Sequence, residues 1–247
     1  MINVPHAGTR LPTDLAGYGG DWESLPDTDW HVDHLVQPLT DRGIGIQVAN
    51  YSRYVIDLNR PPDNAPLYPG VGTGLVPLET FAGKPLYPPG AEPDAAAIND
   101  RIARFWTPYH QQLEASLDDI VQRQGHAILL DAHSIASRVP RLFDGQLPEI
   151  NLGFNNGQSC SPGLAAAVTE VLAGQDHFSW VADGRFKGGY ITRHYGQPAK
   201  GLHALQIEIS QACYLDERNP AEFSPDRAKA LMALLASLAS RLLEWRP

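Results

Sequence analysis

The stretch His126-Ala127-Ile128-Leu129-Leu130-Asp131-Ala132-His133-Ser134 decides how this chain is read. Ile128, Leu129 and Leu130 make a short apolar run of the kind a buried strand uses. The run stops at Asp131, His133 and Ser134, and in an open α/β sheet the carboxyl ends of strands open into the ligand crevice. His133 is then placed for metal ligation, with Asp131 behind it to orient the ring. A strand that simply ends in a polar turn explains this stretch equally well. The surrounding chain has to separate the two.

Upstream, Met1-Ile2-Asn3-Val4-Pro5 reads as a strand that delivers His6, with Gly8 allowing a tight turn beside a ligand. This strand begins at the start of the chain, as expected where a preceding segment is missing or the start is placed too late. Leu11 to Ser24 is a Gly- and Pro-punctuated loop. A helix is expected from the Pro26-Asp27-Thr28-Asp29-Trp30 segment, with Thr28 as N-cap and Gly43 as its stop. Asp27 and Asp29 suit a first helical turn and are also candidate metal-binding oxygens. Ile46–Ala49 and Tyr54–Leu58 read as extended segments, the second running into Asn59-Arg60-Pro61-Pro62. Residues 61–93 hold nine Pro and five Gly without any period. A loop of that length inside a compact domain is usually functional, and a substrate-covering role is expected.

Residues 94–123 carry the longest helical pattern, from Ile98 to Val121, with Pro108 expected to kink or split it. His110 within it reads as a helix-face histidine. Downstream, strands are expected at 150–154, 178–181 and 202–209, and helices at 162–172 and from Ser224-Pro225 onward. The segment 188–196 has glycine at both ends and a polar middle. Strands alternating with helices indicate a single α/β domain over residues 1–247.

Composition narrows the function. The chain has 247 residues, 43% hydrophobic and 19% charged, with a formal net charge of −9. The acidic balance and the lack of a Lys/Arg run argue against a nucleic-acid partner. Cys160 and Cys213 lie far apart without CxxC spacing, as free thiols of a reducing compartment do. Neither a charged leader with an apolar stretch nor an apolar run of about 18 residues is present, so a cytoplasmic protein without a membrane span is expected.

The polar residues at expected strand ends are His6, Arg60, Asp131, His133 and Glu208, with Asp29 at the expected helix start. Two His and one carboxylate are the usual protein ligands of a catalytic zinc, and a further carboxylate beside its water serves as general base. Glu208 fits that role, because a Glu inside an apolar strand is costly without a charged partner. A buried salt bridge is the structural alternative. HExxH, GxSxG and GxGxxG are all absent, which removes the common metalloprotease, serine-hydrolase and dinucleotide readings.

Several of these segments, taken together and in order, resemble the N-formylglutamate amidohydrolases. They are Pro5-His6-Ala7-Gly8, Pro26-Asp27-Thr28-Asp29-Trp30, the run from Tyr51 to Pro61, Asp131-Ala132-His133-Ser134, the run from Gly188 to Gly196, and Gln206-Ile207-Glu208. The likeness covers nearly the whole chain. It implies a zinc-carboxypeptidase-like, three-layer α/β/α fold with a mixed central sheet, in one metallohydrolase domain. It also implies hydrolysis of N-formyl-L-glutamate to formate and L-glutamate in histidine degradation, with Zn2+ or another divalent transition metal. In the wider group the first ligands come as His-x-x-Glu, but the residue three after His6 is Thr9, so the carboxylate ligand is sought elsewhere. Asp29 is preferred to Asp27. By the same likeness Asn59 and Arg60 hold the substrate's α-carboxylate, Arg53 stabilises the oxyanion and Arg193 takes a second carboxylate. Two rivals share these residues: another zinc amidohydrolase or carboxypeptidase for acidic N-acyl amino acids, and a non-catalytic binding protein for acidic metabolites. Oligomeric state is not legible.

Overall fold

The computed structural model describes residues 1–14, 25–67 and 73–247. Six strands form one mixed sheet: β1 Ile2–Val4, β2 Ile46–Val48, β3 Ala127–Ile135, β4 Ile150–Gly153, β5 Trp180–Ala182 and β6 Leu202–Ser210, in the order β2-β1-β3-β6-β4-β5. The first four strands of that order are parallel, β4 runs antiparallel to β6, and β5 is parallel to β4. The central pair is β3 and β6, registered along nine residues from Ala127↔Leu202 to Ile135↔Ser210.

That register corrects the first expectation about the decisive stretch. β3 does not end at Asp131 but runs on to Ile135, so Asp131 and His133 sit inside a strand. The apolar run stops because one face of the strand turns polar, not because the strand stops. With a side-chain period of two, Ala127, Leu129, Asp131 and His133 share a face, and Leu130, Ala132 and Ser134 share the other.

The second face is mainly apolar. Leu130, Leu205, Ile207, Ile209, Ile150 and Leu152 pack there against α1 (Val32–Val36), α4 (Pro162–Ala173) and α6 (Pro225–Glu244). On the first face Leu129 and Ala204 meet Leu113 and Leu117 of α3 (Thr107–Gln124) and Ile191 and Tyr195 of α5 (Tyr190–Tyr195). The result is the three-layer α/β/α arrangement that the family likeness implied. No helix among the described residues is long and apolar enough to cross a membrane.

Three local expectations differ from the structure. The helix expected after Pro26 starts only at Val32, behind a left-handed His31, and Thr28 is not its cap. Residues 26–30 instead form a turn in which the Asp29 amide donates to the His6 carbonyl at 3.1 Å. Tyr54–Leu58 is not a strand. Val55, Ile56 and Leu58 are buried, but their cluster packs on Leu75, Val76 and the helical side chains around Phe105, and the backbone bonds to turns, to the Leu75 carbonyl and to the Arg101 and His110 side chains instead of to a strand ladder. Burial alone mimicked a strand there. Third, α2 (Ala95–Arg101) and α3 are joined by a π-turn, Ile102–Trp106, which absorbs Pro108 without breaking the helix.

Ile207 is fully buried on the apolar face, away from every polar residue of the opposite one. Ile207→Ala is expected to lower unfolding free energy by about 2–5 kcal/mol in urea titration.

Candidate active site

The polar residues of the first face line up across the strands. Asn3 of β1, Asp131 of β3 and Gln206 of β6 stand in one row, and His133 of β3, Glu208 of β6 and Asn151 of β4 in the next. His6 follows β1, and the 26–30 turn brings in Asp29. The 51–60 loop brings Arg53, Asp57, Asn59 and Arg60 over the same end of the sheet.

His6, Asp29 and His133 converge so that one ligand atom from each lies within 4.8 Å of the others, all three residues being buried. This is the one such group among the described residues. Each imidazole is held from behind. His6 Nε2 donates to Asp57 Oδ1 at 2.7 Å, and His133 Nε2 faces Asp131 Oδ2 at 3.0 Å. Both Nδ1 atoms therefore turn toward Asp29, whose Oδ2 lies 3.7 Å from that of His6 and 3.0 Å from that of His133. His6 Nδ1 is buried with no hydrogen-bond partner. An orphan imidazole nitrogen beside a carboxylate and a second imidazole is what a divalent ion would fill, and the carboxylate behind each ring is the usual partner of a metal-bound histidine.

The charges agree. Asp29, Asp57, Asp131 and Glu208 are all buried and set four carboxylates against the guanidiniums of Arg53 and Arg60. Burial alone would lower the His133 pKa, but Asp131 and Asp29 overcome it and hold it well above the usual imidazole value. Burial likewise raises Asp57, and His6, Arg53 and Arg60 more than reverse this, keeping it ionised. Glu208 goes the other way: burial pushes it up to about 8, against the opposing pull of His133 and Arg53.

Asp27 is not part of this group. Its Oδ2 accepts the Phe81 amide at 2.7 Å and so anchors the Pro-rich loop instead. Gly8 serves the fold rather than a ligand, since a Cβ there would overlap the backbone of Tyr51 and Ala49.

A cavity of about 80 Å³ opens over the cluster, lined by His6, His133, Glu208, Gln206 and by Arg53, Arg60 and Arg185. Thr73 and Phe81 also line it. Arg53 Nη2 donates to Asp57 Oδ2 at 2.8 Å, with its guanidinium 4.7 Å over the Phe81 ring. Arg60 is steadied by Thr73, through its carbonyl at 2.8 Å and its hydroxyl at 3.1 Å. Asn59 is in the wall, but its amide is engaged. Its Oδ1 accepts the Ile191 amide at 2.8 Å, and its Nδ2 donates to Asp131 Oδ2 at 3.3 Å. Asn59 thus ties α5 to the Asp131–His133 pair. Arg193 is not among the lining residues. Its Nε donates to the Gly188 carbonyl at 3.0 Å and its Nη1 to that of Leu67 at 3.1 Å.

Three contributors had no role in the sequence reading. Asp57 is the hub of the 51–60 loop. Gln206 accepts the Gly189 amide at 2.8 Å and donates to Glu208 Oε2 at 3.1 Å. Asn3 donates to Asp131 Oδ1 at 2.8 Å and accepts from the Tyr109 hydroxyl. Gln206 and Asn3 were detectable as polar residues two positions from, or in register with, the expected site residues. Asp57 was hidden because its segment looked like a strand.

A family model of N-formylglutamate amidohydrolases matches residues 1–215. The chain belongs to this family. Among similar proteins, the N-formylglutamate deformylase of Pseudomonas aeruginosa is 47% identical over 246 residues, covering 99% of this chain and 92% of that one. A protein of the same name from Pseudomonas putida is 46% identical over the same span. The crystal structure of N-formylglutamate amidohydrolase from Ralstonia eutropha superposes with a TM-score of 0.85 at 28% identity, covering 98% of this chain and 92% of that one. A gene product of Agrobacterium tumefaciens, at 20% identity and a TM-score of 0.70, shares the fold. As an amidohydrolase-family chain, the molecule has its buried polar rows at the end of the sheet where catalysis is expected.

If this cluster is a metal centre, the purified protein contains about one equivalent of a divalent ion, and His133→Ala empties it. Asp131→Asn, which removes only the charge behind the ring, lowers metal affinity about 10- to 100-fold. Full metal content in His133→Ala, measured by elemental analysis, would overturn the assignment.

Proposed function

We propose that this chain hydrolyses N-formyl-L-glutamate to formate and L-glutamate, the closing step of a histidine-degradation route in the cytoplasm, with zinc or another divalent transition metal held by His6, Asp29 and His133. The observation that carries this reading is Glu208 in register with His133 on neighbouring strands, a buried carboxylate one strand away from a candidate ligand. The names of the Pseudomonas relatives support the substrate. Free cysteines at Cys160 and Cys213 suit a reducing compartment.

A divalent ion in this cluster would polarise the formyl carbonyl and acidify a water beside it. The remaining chemistry belongs to the chain. Glu208 takes one proton from the attacking water as its oxygen bonds to the formyl carbon. The same carboxyl then gives that proton to the departing nitrogen as the C–N bond breaks, leaving formic acid and the free amine of glutamate, and the acid's proton passes to that amine to give formate. Gln206, bonded to Glu208 Oε2, keeps this carboxyl aimed into the cavity. Arg53, pinned by Asp57, meets the charge that develops on the formyl oxygen and needs no reorganisation to do so. Arg60 takes the α-carboxylate, and Asn59 supports it by fixing the wall. A non-catalytic binding protein fits less well, because it leaves the register of the buried Glu208 with His133 without a use.

Glu208→Gln is expected to reduce kcat by roughly two to four orders of magnitude with metal content unchanged. In the unmutated enzyme kcat/KM falls as pH drops and Glu208 protonates. Burial sets that group near 8, and a neighbouring dication lowers it, so the acid limb lies below 8. The limb disappears in Glu208→Gln. N-formyl-L-glutamine, lacking the side-chain charge, is expected to be about 10- to 100-fold poorer in kcat/KM than N-formyl-L-glutamate. Equal rates would sink the dicarboxylate reading.

A further inference from the structure

A substrate with two carboxylates needs two cationic partners if both are to be buried. Three guanidiniums line the cavity: Arg53, Arg60 and Arg185. Arg53 sits at the reacting end, bound to Asp57 and 3.7 Å from Asp29. Arg60 is held beside Asn59 and Thr73. Arg193, expected from the sequence to take the second carboxylate, lies against backbone carbonyls outside the lining.

Arg185 lines the cavity together with Ile135, Leu142 and Phe186. Its Nε donates to the Leu142 carbonyl at 2.8 Å, which fixes the plane of the guanidinium. Leu142 and Phe186 pack on the cluster of Ile135, Val139 and Leu147. Ile135 follows His133 by two residues on the same face of β3, a step of roughly 7 Å along the strand. In N-formyl-L-glutamate the formyl carbon and the distal carboxyl carbon are separated by five bonds, an extended reach of about 6 Å. A molecule with its formyl group over His133 and Glu208, laid along β3 toward Ile135, brings its distal carboxylate level with that residue. Its methylenes run past the apolar side chains of Ile135, Leu142 and Phe186.

We propose that Arg185 is the residue that reads the distal carboxylate, and that its distance from the reacting end sets the accepted chain length at glutamyl rather than aspartyl. The inference rests on the deformylase reading above. A guanidinium fork suits this task because it binds a carboxylate through two parallel N–H donors. The aspartyl analogue is one methylene shorter, so its distal carboxylate falls about 1.5 Å short of the fork while its formyl group stays in place.

The test pairs turnover with binding. Arg185→Met is expected to lower kcat/KM for N-formyl-L-glutamate about 10- to 100-fold, mainly through KM, and to leave N-formyl-L-glutamine nearly unchanged. Arg185→Lys recovers part of the loss, and metal content and thermal midpoint stay at the unmutated values. Arg193→Met leaves the glutamate-over-glutamine preference in place. Calorimetry of L-glutamate against L-glutamine reads the same contact without turnover. Charge-selective binding that depends on Arg185, in a protein that releases no formate, would sustain this assignment and refute the deformylase reading. A preference that survives Arg185→Met and vanishes in Arg193→Met would overturn the assignment while the deformylase reading stands. So would an equal loss on both substrates.

Discussion

Two carboxylate grips on histidine Nε2 hold the site together. Asp57 takes that of His6 and Asp131 that of His133, and both rings are thereby forced to offer Nδ1 to the same point beside Asp29. Ring orientation in a metal site is set by the bond on the far nitrogen. Without the grips the rings could flip, and the three candidate ligands would no longer converge. The two grips come from different places: Asp131 is in the same strand as the histidine it holds, whereas Asp57 comes from a loop.

Burying this many charges is costly unless each oxygen has a partner. Asp131 meets that condition through Asn3 on one oxygen and through His133 and Asn59 on the other. Asp57 meets it through His6 and its own Asn59 amide on one side and Arg53 on the other. The network reaches the outer layer through Tyr109 of α3, which donates to Asn3, and through α5, whose Ile191 amide is held by Asn59. Gly189 allows this close approach, since a Cβ there would overlap the Asn59 amide. Stability is supplied by the other face of the sheet, where Ile207, Ile209 and Leu152 pack on helices. The polar rows are thus embedded in a rigid support instead of lying on a loop.

Much of the architecture was legible because its signal is periodic. The parallel strands, the long helix from Asp94, and the final helix all follow from the spacing of apolar residues, and Gly43 was readable as a left-handed helix stop. His133 was also nameable in advance, since an ionisable residue interrupting an apolar strand stands out, and His6 as a residue at a strand end, whereas Asp29 was preferred to Asp27 through the family likeness. Tertiary context supplied the rest. The π-turn before Pro108 depends on helix packing, and the turn at Tyr54–Leu58 is buried by neighbours distant in sequence. Asp57 became visible only when that turn brought it against His6. Arg193 and Arg185 could not be ranked from sequence, because each lies in a segment without period and only the folded chain decides which faces the cavity.

The account as a whole stands on metal-dependent release of formate. The decisive measurement is formate production from N-formyl-L-glutamate by the purified chain, before and after treatment with a chelator and again after adding zinc. The account predicts turnover in the first state, its loss in the second and its return in the third. Undiminished turnover by protein shown to be free of metal would contradict it.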